Sequence, residues 1–337
     1  MNISNSKILV TGADGFIGSH LVERLVLSGY TVRALVNYNS LGSWGWLDTC
    51  DEKILNNIDV VMGDIRDRSF VRESVRDQNI VLHLAALISI PYSYHAPNAY
   101  VDTNLIGTMN VLDAARDQEI DRVVCTSTSE VYGTAQFVPI TEEHPINAQS
   151  PYAATKVAAD QMALSYHRSF ETPVSIIRPF NTFGPRQSTR AVIPAIISQI
   201  VSGKDVISLG NLDASRDFTY VEDSAIGFIQ VAETDACVGD VVNIGSGFDI
   251  TIKDLVEMII DISGRNVKVE QDQKRMRPKE SEVDRLHAGI DKARKLFNWN
   301  PEHGGGLEGF RKGIEKTFAW FTLPDNLKHY PSDKFHL

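Results

Sequence analysis

The 337-residue chain sets 33 lysines and arginines against 43 aspartates and glutamates, a formal net charge of −10, with 43% hydrophobic and 23% charged residues. That is the composition of an ordinary globular enzyme, long enough for a large core and two lobes. The acidic balance argues against non-specific binding to nucleic acid or an anionic membrane surface, so any anionic substrate needs local arginines. The three cysteines, Cys50, Cys125 and Cys237, are odd in number and widely spaced, which reads as reduced thiols. The nine histidines show no metal-ligand grouping, and no metal is expected. The polar start, Met1 to Ser6, runs directly into a strand, with no visible signal peptide. The longest apolar stretch, Ile80 to Ile90, contains His83 and is too short to cross a bilayer, so a cytoplasmic protein is expected.

Lys7 to Thr11 predicts a short buried strand, and an amphipathic helix runs through Leu27. Between them lies Gly12-Ala-Asp-Gly15-Phe16-Ile17-Gly18. Gly12 permits a tight bend, Gly15 lets backbone N–H groups approach a pyrophosphate, and Gly18 lets helix and strand pack closely. A second strand, Thr31 to Val36, completes the context of a dinucleotide-binding turn. An acidic residue is expected at its end to bond the adenosine ribose, but the chain reads Val36-Asn37-Tyr38. With neither carboxylate nor arginine there, NAD and NADP both stay open.

The pattern repeats with strands predicted at Val60 to Met62, Val81 to Ala85, Arg122 to Ser127 and Val174 to Arg178. Helical spacing between them, as in Leu105, Met109, Leu112 and Ala115, argues an α/β fold: a Rossmann-type doubly wound parallel sheet. Gly63-Asp64-Ile65 follows the third strand, where adenine would lie; Asp64 either accepts from the adenine amine or caps a helix. After Phe180, turns, prolines and arginines become frequent, predicting a smaller α/β substrate-binding lobe. The expected division is 1–178 plus about 218–247 for the dinucleotide domain, and about 179–217 plus 248–337 for the second. Leu307 to Phe321 reads as a packed closing helix.

The chemistry is carried by Thr128-Ser129-Glu130-Val-Tyr132-Gly133 and Tyr152-Ala-Ala-Thr-Lys156. A tyrosine and a lysine four apart on a helix share a face. The lysine's charge favours the phenolate, and bringing a phenol from about 10 to about 7 takes roughly 4 kcal/mol. A lysine and a cationic nicotinamide together could supply it. Glu130 adds a second ionisable group, which suggests more than alcohol oxidation.

The glycine motif, His83-Leu84-Ala85-Ala86, Ser-Thr-Ser-Glu-Val-Tyr-Gly, Tyr152xxxLys156, Arg178-Pro-Phe-Asn181 and Arg216-Asp-Phe-Thr-Tyr-Val-Glu-Asp223 occur in one order. In this the chain strongly resembles the nucleotide-sugar epimerase/dehydratase branch of the extended short-chain dehydrogenases/reductases, over essentially its whole length. Ile90-Pro-Tyr-Ser-Tyr94, Tyr100-Val-Asp-Thr-Asn104 and Asn181-Thr-Phe-Gly-Pro-Arg-Gln-Ser188 look like the N-acetylglucosamine 4,6-dehydratases of legionaminic-acid synthesis.

The resemblance implies a recycled NAD, with NADP not excluded, held by Gly12, Gly15, Phe16, Ile17, Gly18, Asn37, Asp64, Ile65, Leu84, Ala85, Ala86, Tyr152 and Lys156. It implies a UDP- or GDP-sugar between the lobes, and a homodimer through two helices per subunit. Tyr152 would deprotonate the C4 hydroxyl as hydride leaves C4, with Lys156 tuning it, and Thr128 would bond the C4 oxygen. Glu130 would then remove the C5 proton and the C6 hydroxyl would leave as water. Ser129 stands where dTDP-glucose dehydratases carry an aspartic acid, so Glu130 would serve as both base and acid. Arg186, Arg216 and Arg277 are candidates for the pyrophosphate, because guanidinium forks match phosphate oxygens. Asn181 is a candidate for the diphosphate or sugar. Ser89, Tyr92 and Tyr94 could face the sugar, Asn104 reads as a helix N-cap, and His83 reads as a satisfied core histidine. A 4-epimerase, which has no use for Glu130, a uronate decarboxylase, a related dehydratase that stops at an enol sugar or inverts C5, and a non-catalytic cofactor-sensing module are the alternatives.

Overall fold

The computed structural model describes residues 6–276 and 278–330. β1 (Lys7–Thr11) is buried from Ile8 onward because it runs between two parallel neighbours, β2 (Thr31–Asn37) and β4 (Ile80–His83). With β3 (Ile58–Gly63), β5 (Arg122–Thr126) and β6 (Val174–Pro179) it belongs to a seven-stranded sheet of order β10-β6-β5-β4-β1-β2-β3. Every pairing in this sheet is parallel. The strands are short apolar runs because both faces are covered by helices. Strand order reverses between β1 and β4, and such a switch point opens a crevice at the carboxyl ends of the strands.

Beyond β6 the chain forms β7 (Asn181–Phe183), β8 (Val206–Leu209) and β9 (Ser215–Tyr220), then returns to the large sheet as β10 (Val241–Ile244). The helix Val221–Glu233 between β9 and β10 packs on the glycine-turn helix Phe16–Leu27. β11 (Asp249–Thr251) and β13 (Arg285–Leu286) flank β9, β7 also pairs with β9, and β12 (Lys268–Gln271) pairs with β8. Helices Val192–Val201, Ile252–Ser263 and Leu307–Thr322 bury Ile196, Ile200, Leu255, Ile259, Phe310 and Phe321 in a second core.

The stretch 283–299, expected in the second lobe, pairs with β9 through Arg285–Leu286 and also packs Val283, Leu286, Ala288, Ile290, Ala293 and Trp299 into the core of the large sheet. Two bonds fix it there: the Trp299 indole donates to the Gly245 carbonyl at 2.9 Å, and Lys292 Nζ donates to the Val241 carbonyl at 2.7 Å. At the far end of the chain, the Trp46 ring lies 5.8 Å from Trp320, 5.2 Å from His329 and 5.7 Å from Tyr330. The Tyr330 hydroxyl also donates to the Gln187 carbonyl, so the terminal segment touches both lobes. No helix of the described residues is long and apolar enough to cross a membrane.

Candidate active site

The glycine turn leaves β1 into the crevice. Gly12 has φ +68° and lies against Ala85, where a Cβ would come within 2.8 Å of the Ala85 nitrogen. A Cβ at Gly18 would come within 2.1 Å of the Gly12 carbonyl oxygen. Gly15 is the N-cap of the Phe16–Leu27 helix and brings no side chain to the first-turn N–H groups, which suits an anion. These residues fit a dinucleotide pyrophosphate. Phe16 and Ile17 open the helix, while Leu84 and Ala85 donate their N–H groups to Thr11 Oγ1, fixing the Leu84-Ala85-Ala86 wall opposite.

At the adenosine end, Asn37 closes β2 and is exposed. Asp64 does not cap a helix and stays partly exposed at the end of β3. Its carboxylate is taken by the Arg66 guanidinium, which holds its pKa below the usual value, and Asp67 caps the next helix. Ile65 is buried against Gly107, and its carbonyl accepts from Asn110.

The reacting groups sit beside β5 and at the start of the Pro151–Phe170 helix. Thr128 caps the turn Ser129–Tyr132 by accepting the Glu130 N–H at 3.2 Å. Ser129 is buried within that turn. Ser150 caps the long helix through the Ala153 N–H, and Pro151 occupies its first turn, where no N–H is needed. This places Tyr152 in the site with its ring 6.2 Å from that of Tyr100. Burial drives the Tyr152 phenol above its ordinary pKa, the Thr128 hydroxyl opposes the rise, and the Glu130 charge adds to it. Thr128, Glu130 and Tyr152 therefore lie close together.

The expected lowering of Tyr152 by Lys156 is thus not met by the protein alone, because desolvation of the phenol dominates. Lys156, one turn on and also buried, is itself pushed down by burial and held up chiefly by the charge of Asp160. His83 is the satisfied core histidine expected. Its ring bonds the Thr11 and Thr108 hydroxyls, and burial pulls its pKa to about 3.

Several expected substrate ligands are spoken for. Arg186 points at the glycine-turn helix, where Nη1 and Nη2 meet the Glu23 carboxylate at 2.9 and 2.8 Å. A left-handed backbone, φ +69°, accompanies this placement. Tyr94, half-buried, gives its hydroxyl to Ser281 Oγ at 2.6 Å. Arg216 is buried and donates to the Ser215 carbonyl and, at 3.3 Å, to Glu282. Asn104 is no N-cap. It lies buried in a π-helical turn and clamps the Leu87 backbone through both its N–H and its carbonyl. Asn181 Oδ1 is buried with no hydrogen-bond partner among the described residues, Ser89 opens the turn Ile90–Ser93, and Arg277 lies outside the described residues.

Residues that sequence reasoning passed over complete the site. Asp160 Oδ2 accepts from Ser127 Oγ at 2.6 Å and from Arg178 Nε and Nη2 at 3.2 and 2.9 Å. Arg178 also donates to the Tyr132 hydroxyl, which in turn donates to Asn243. The signal was present in the four-residue step from Lys156 to Asp160, which repeats the step from Tyr152 to Lys156. Asp14, within the glycine turn, is the other.

A switch-point crevice with a glycine turn and a tyrosine–lysine helix is the arrangement of an extended short-chain dehydrogenase/reductase. The chain belongs to the family described as GDP-mannose 4,6 dehydratase, whose model matches residues 9–316. It is 33% identical to the low-salt glycan biosynthesis protein Agl12 of Haloferax volcanii, over 94% of this chain and 99% of that protein. Among solved structures it resembles the UDP-N-acetylglucosamine 4-epimerase of Methanobrevibacter ruminantium, with TM-score 0.84, 31% identity and coverage of 94% and 98%. It equally resembles DesIV, the dTDP-glucose 4,6-dehydratase of Streptomyces venezuelae solved with NAD bound, with TM-score 0.84, 28% identity and coverage of 96% and 98%.

Proposed function

We propose that the protein is an NAD-dependent nucleotide-sugar 4,6-dehydratase whose substrate is UDP- or GDP-N-acetylglucosamine. The observation that supports dehydration is the place of Glu130, in the Thr128-capped turn that follows β5, where its charge acts on the Tyr152 phenol. Epimerisation at C4 has no use for a base at C5. Bound NAD supplies the hydride acceptor at C4, the donor at C6, and a cationic ring whose charge favours the phenolate.

Tyr152 takes the C4 hydroxyl proton, and Lys156 as the ammonium form donates to the cofactor ribose. Thr128 donates to the C4 oxygen. The 4-keto group acidifies C5–H, Glu130 removes that proton and passes it to the departing C6 hydroxyl, and water leaves; hydride then returns to C6 and a proton to C5, which balances the proton that Tyr152 took from the C4 hydroxyl. Ser129, beside Glu130 in the same turn, is too weak an acid to protonate the leaving hydroxyl, which leaves that step to Glu130. The unpartnered Asn181 Oδ1 is an acceptor for a sugar or ribose hydroxyl. A homodimer is supported by Val101 and Ile106, exposed apolar residues at the start of one helix, and Phe170 at the end of another. A sugar-nucleotide substrate favours the cytoplasm.

The test is incubation of the purified chain with UDP- and GDP-N-acetylglucosamine without added cofactor. The expected product is a 4-keto-6-deoxy sugar, recognised by its mass and its alkaline ultraviolet absorbance. A product that keeps its C6 hydroxyl and inverts C4 replaces this reading with the epimerase, the alternative that the similarity to the M. ruminantium enzyme favours.

A further inference from the structure

The end of β2 lacks the carboxylate that would meet an adenosine ribose, and the fold brings one there from elsewhere. Asp14 Oδ2 accepts the backbone N–H of Asn37, the last residue of β2, at 3.3 Å. The Asp14 carbonyl accepts the N–H of Trp46 at 3.0 Å. Gly45, with φ +60°, passes so close that a Cβ there would lie 2.9 Å from Asp14 Cβ. The side chain is therefore held between the glycine turn, the strand end and the 43–49 loop. Burial pushes its carboxyl above the usual value, while its own backbone N–H and that of Asn37 favour the anion.

Nothing nearby in the chain offsets that charge. Residues 34–52 contain no lysine or arginine and add Asp48, Asp51 and Glu52. Arg66, at the end of β3, is committed to Asp64 through both carboxylate oxygens. An adenosine ribose laid over the carboxyl end of β2 would thus meet a negative wall.

We propose that Asp14, acting from the glycine turn, is the residue that selects NAD over NADP, its carboxylate repelling a 2′-phosphate at the end of β2. The proposal rests on the reading of Gly12–Gly18 as the dinucleotide cradle. It needs no assumption about the sugar reaction.

The experiment is the affinity of the full chain for NAD and for NADP, measured by calorimetry on protein freed of cofactor. Asp14→Asn keeps an oxygen acceptor toward the Asn37 N–H and removes only the charge. It is expected to raise the NADP-to-NAD affinity ratio roughly ten- to a hundredfold, mainly by tightening NADP. Asn37→Asp added to Asp14→Asn puts a carboxylate at the strand end and is expected to restore the preference. In the wild-type chain, added salt should narrow the preference by screening the repulsion. A ratio that Asp14→Asn leaves within about twofold overturns the proposal, as does a wild-type preference indifferent to salt. Failure of the wild-type chain to bind NAD at all overturns the dinucleotide reading instead.

Discussion

Arg178 Nη2 lies 2.9 Å from Asp160 Oδ2, and neither residue is more than 4% exposed. The pair ties three pieces of the site together. Asp160 is one turn beyond Lys156, Ser127 bonds Asp160 from the end of β5, and Tyr132 bonds Arg178 from the turn that carries Glu130. Removing one partner leaves a buried charge without its counter-charge, which costs about 3–5 kcal/mol. Asp160→Asn and Arg178→Met are each expected to lower stability by that amount in urea unfolding. The double variant should recover much of it, because neither charge is then left alone. Strictly additive losses would show that the two side chains act independently.

The division of labour between base and acid is read from two substitutions. Tyr152→Phe removes the group that takes the C4 proton and should abolish oxidation and water loss together, by about 10²–10⁴-fold. Glu130→Gln should still let C4 be oxidised, so that reduced cofactor accumulates and its absorbance rises on adding substrate, while water loss stops. A Glu130→Gln protein that dehydrates at the parental rate would falsify the elimination scheme.

Arg186 was expected to bind the substrate pyrophosphate, and its partner is Glu23. Arg186→Met should therefore lower stability by about 1–3 kcal/mol, the loss of a charge-assisted bond in a partly buried site. Glu23→Gln should lower it similarly, and both should leave KM for the nucleotide sugar within a few-fold. A large rise in KM specific to Arg186→Met would return the arginine to the substrate.

The Arg186 corner also predicts a pH dependence. His20 is kept neutral by burial and the Arg186 charge, with its pKa drawn down to about 4. A histidine neutral in the fold gains its proton on unfolding, so its contribution to stability is complete above about pH 6.5 and is lost as the pH falls toward 4. Replacing it by glutamine, which can still donate to the Pro185 carbonyl that the ring contacts at 3.1 Å, should flatten the slope of unfolding free energy by up to about 1.4 kcal/mol per pH unit in this window. An unchanged slope would mean that His20 is protonated in the native protein.

Local pattern made much of this molecule legible. Strand–helix alternation and the glycine turn identify a doubly wound sheet, since their signals lie within a few residues of one another. The pairing of Tyr152 with Lys156 follows from a single helical turn. What sequence could not show is which distant groups meet. Arg186 finds Glu23, Tyr94 finds Ser281 and Arg216 finds Glu282 only after the chain has folded back on itself. A free arginine and one already committed look identical in a string of letters. The balance at Tyr152 without the nicotinamide charge was hidden for a related reason: the lysine's attraction can be inferred from spacing, but the depth of desolvation cannot. The 283–299 stretch misled because its place depends on Trp299 and Lys292 reaching the backbone around β10, contacts with no local signature.

Trp46 lies within the first sixth of the chain, yet it packs against Trp320, His329 and Tyr330 near the other end. The loop that borders the glycine turn therefore acquires its packing partners last. During synthesis at the ribosome, where N-terminal segments emerge first, the nascent nucleotide-binding half must wait with that indole uncovered until the final helix is released. A chain cut before residue 320 would keep the parallel sheet's sequence and lose the aromatic cover on this loop, leaving an exposed indole and an invitation to aggregate.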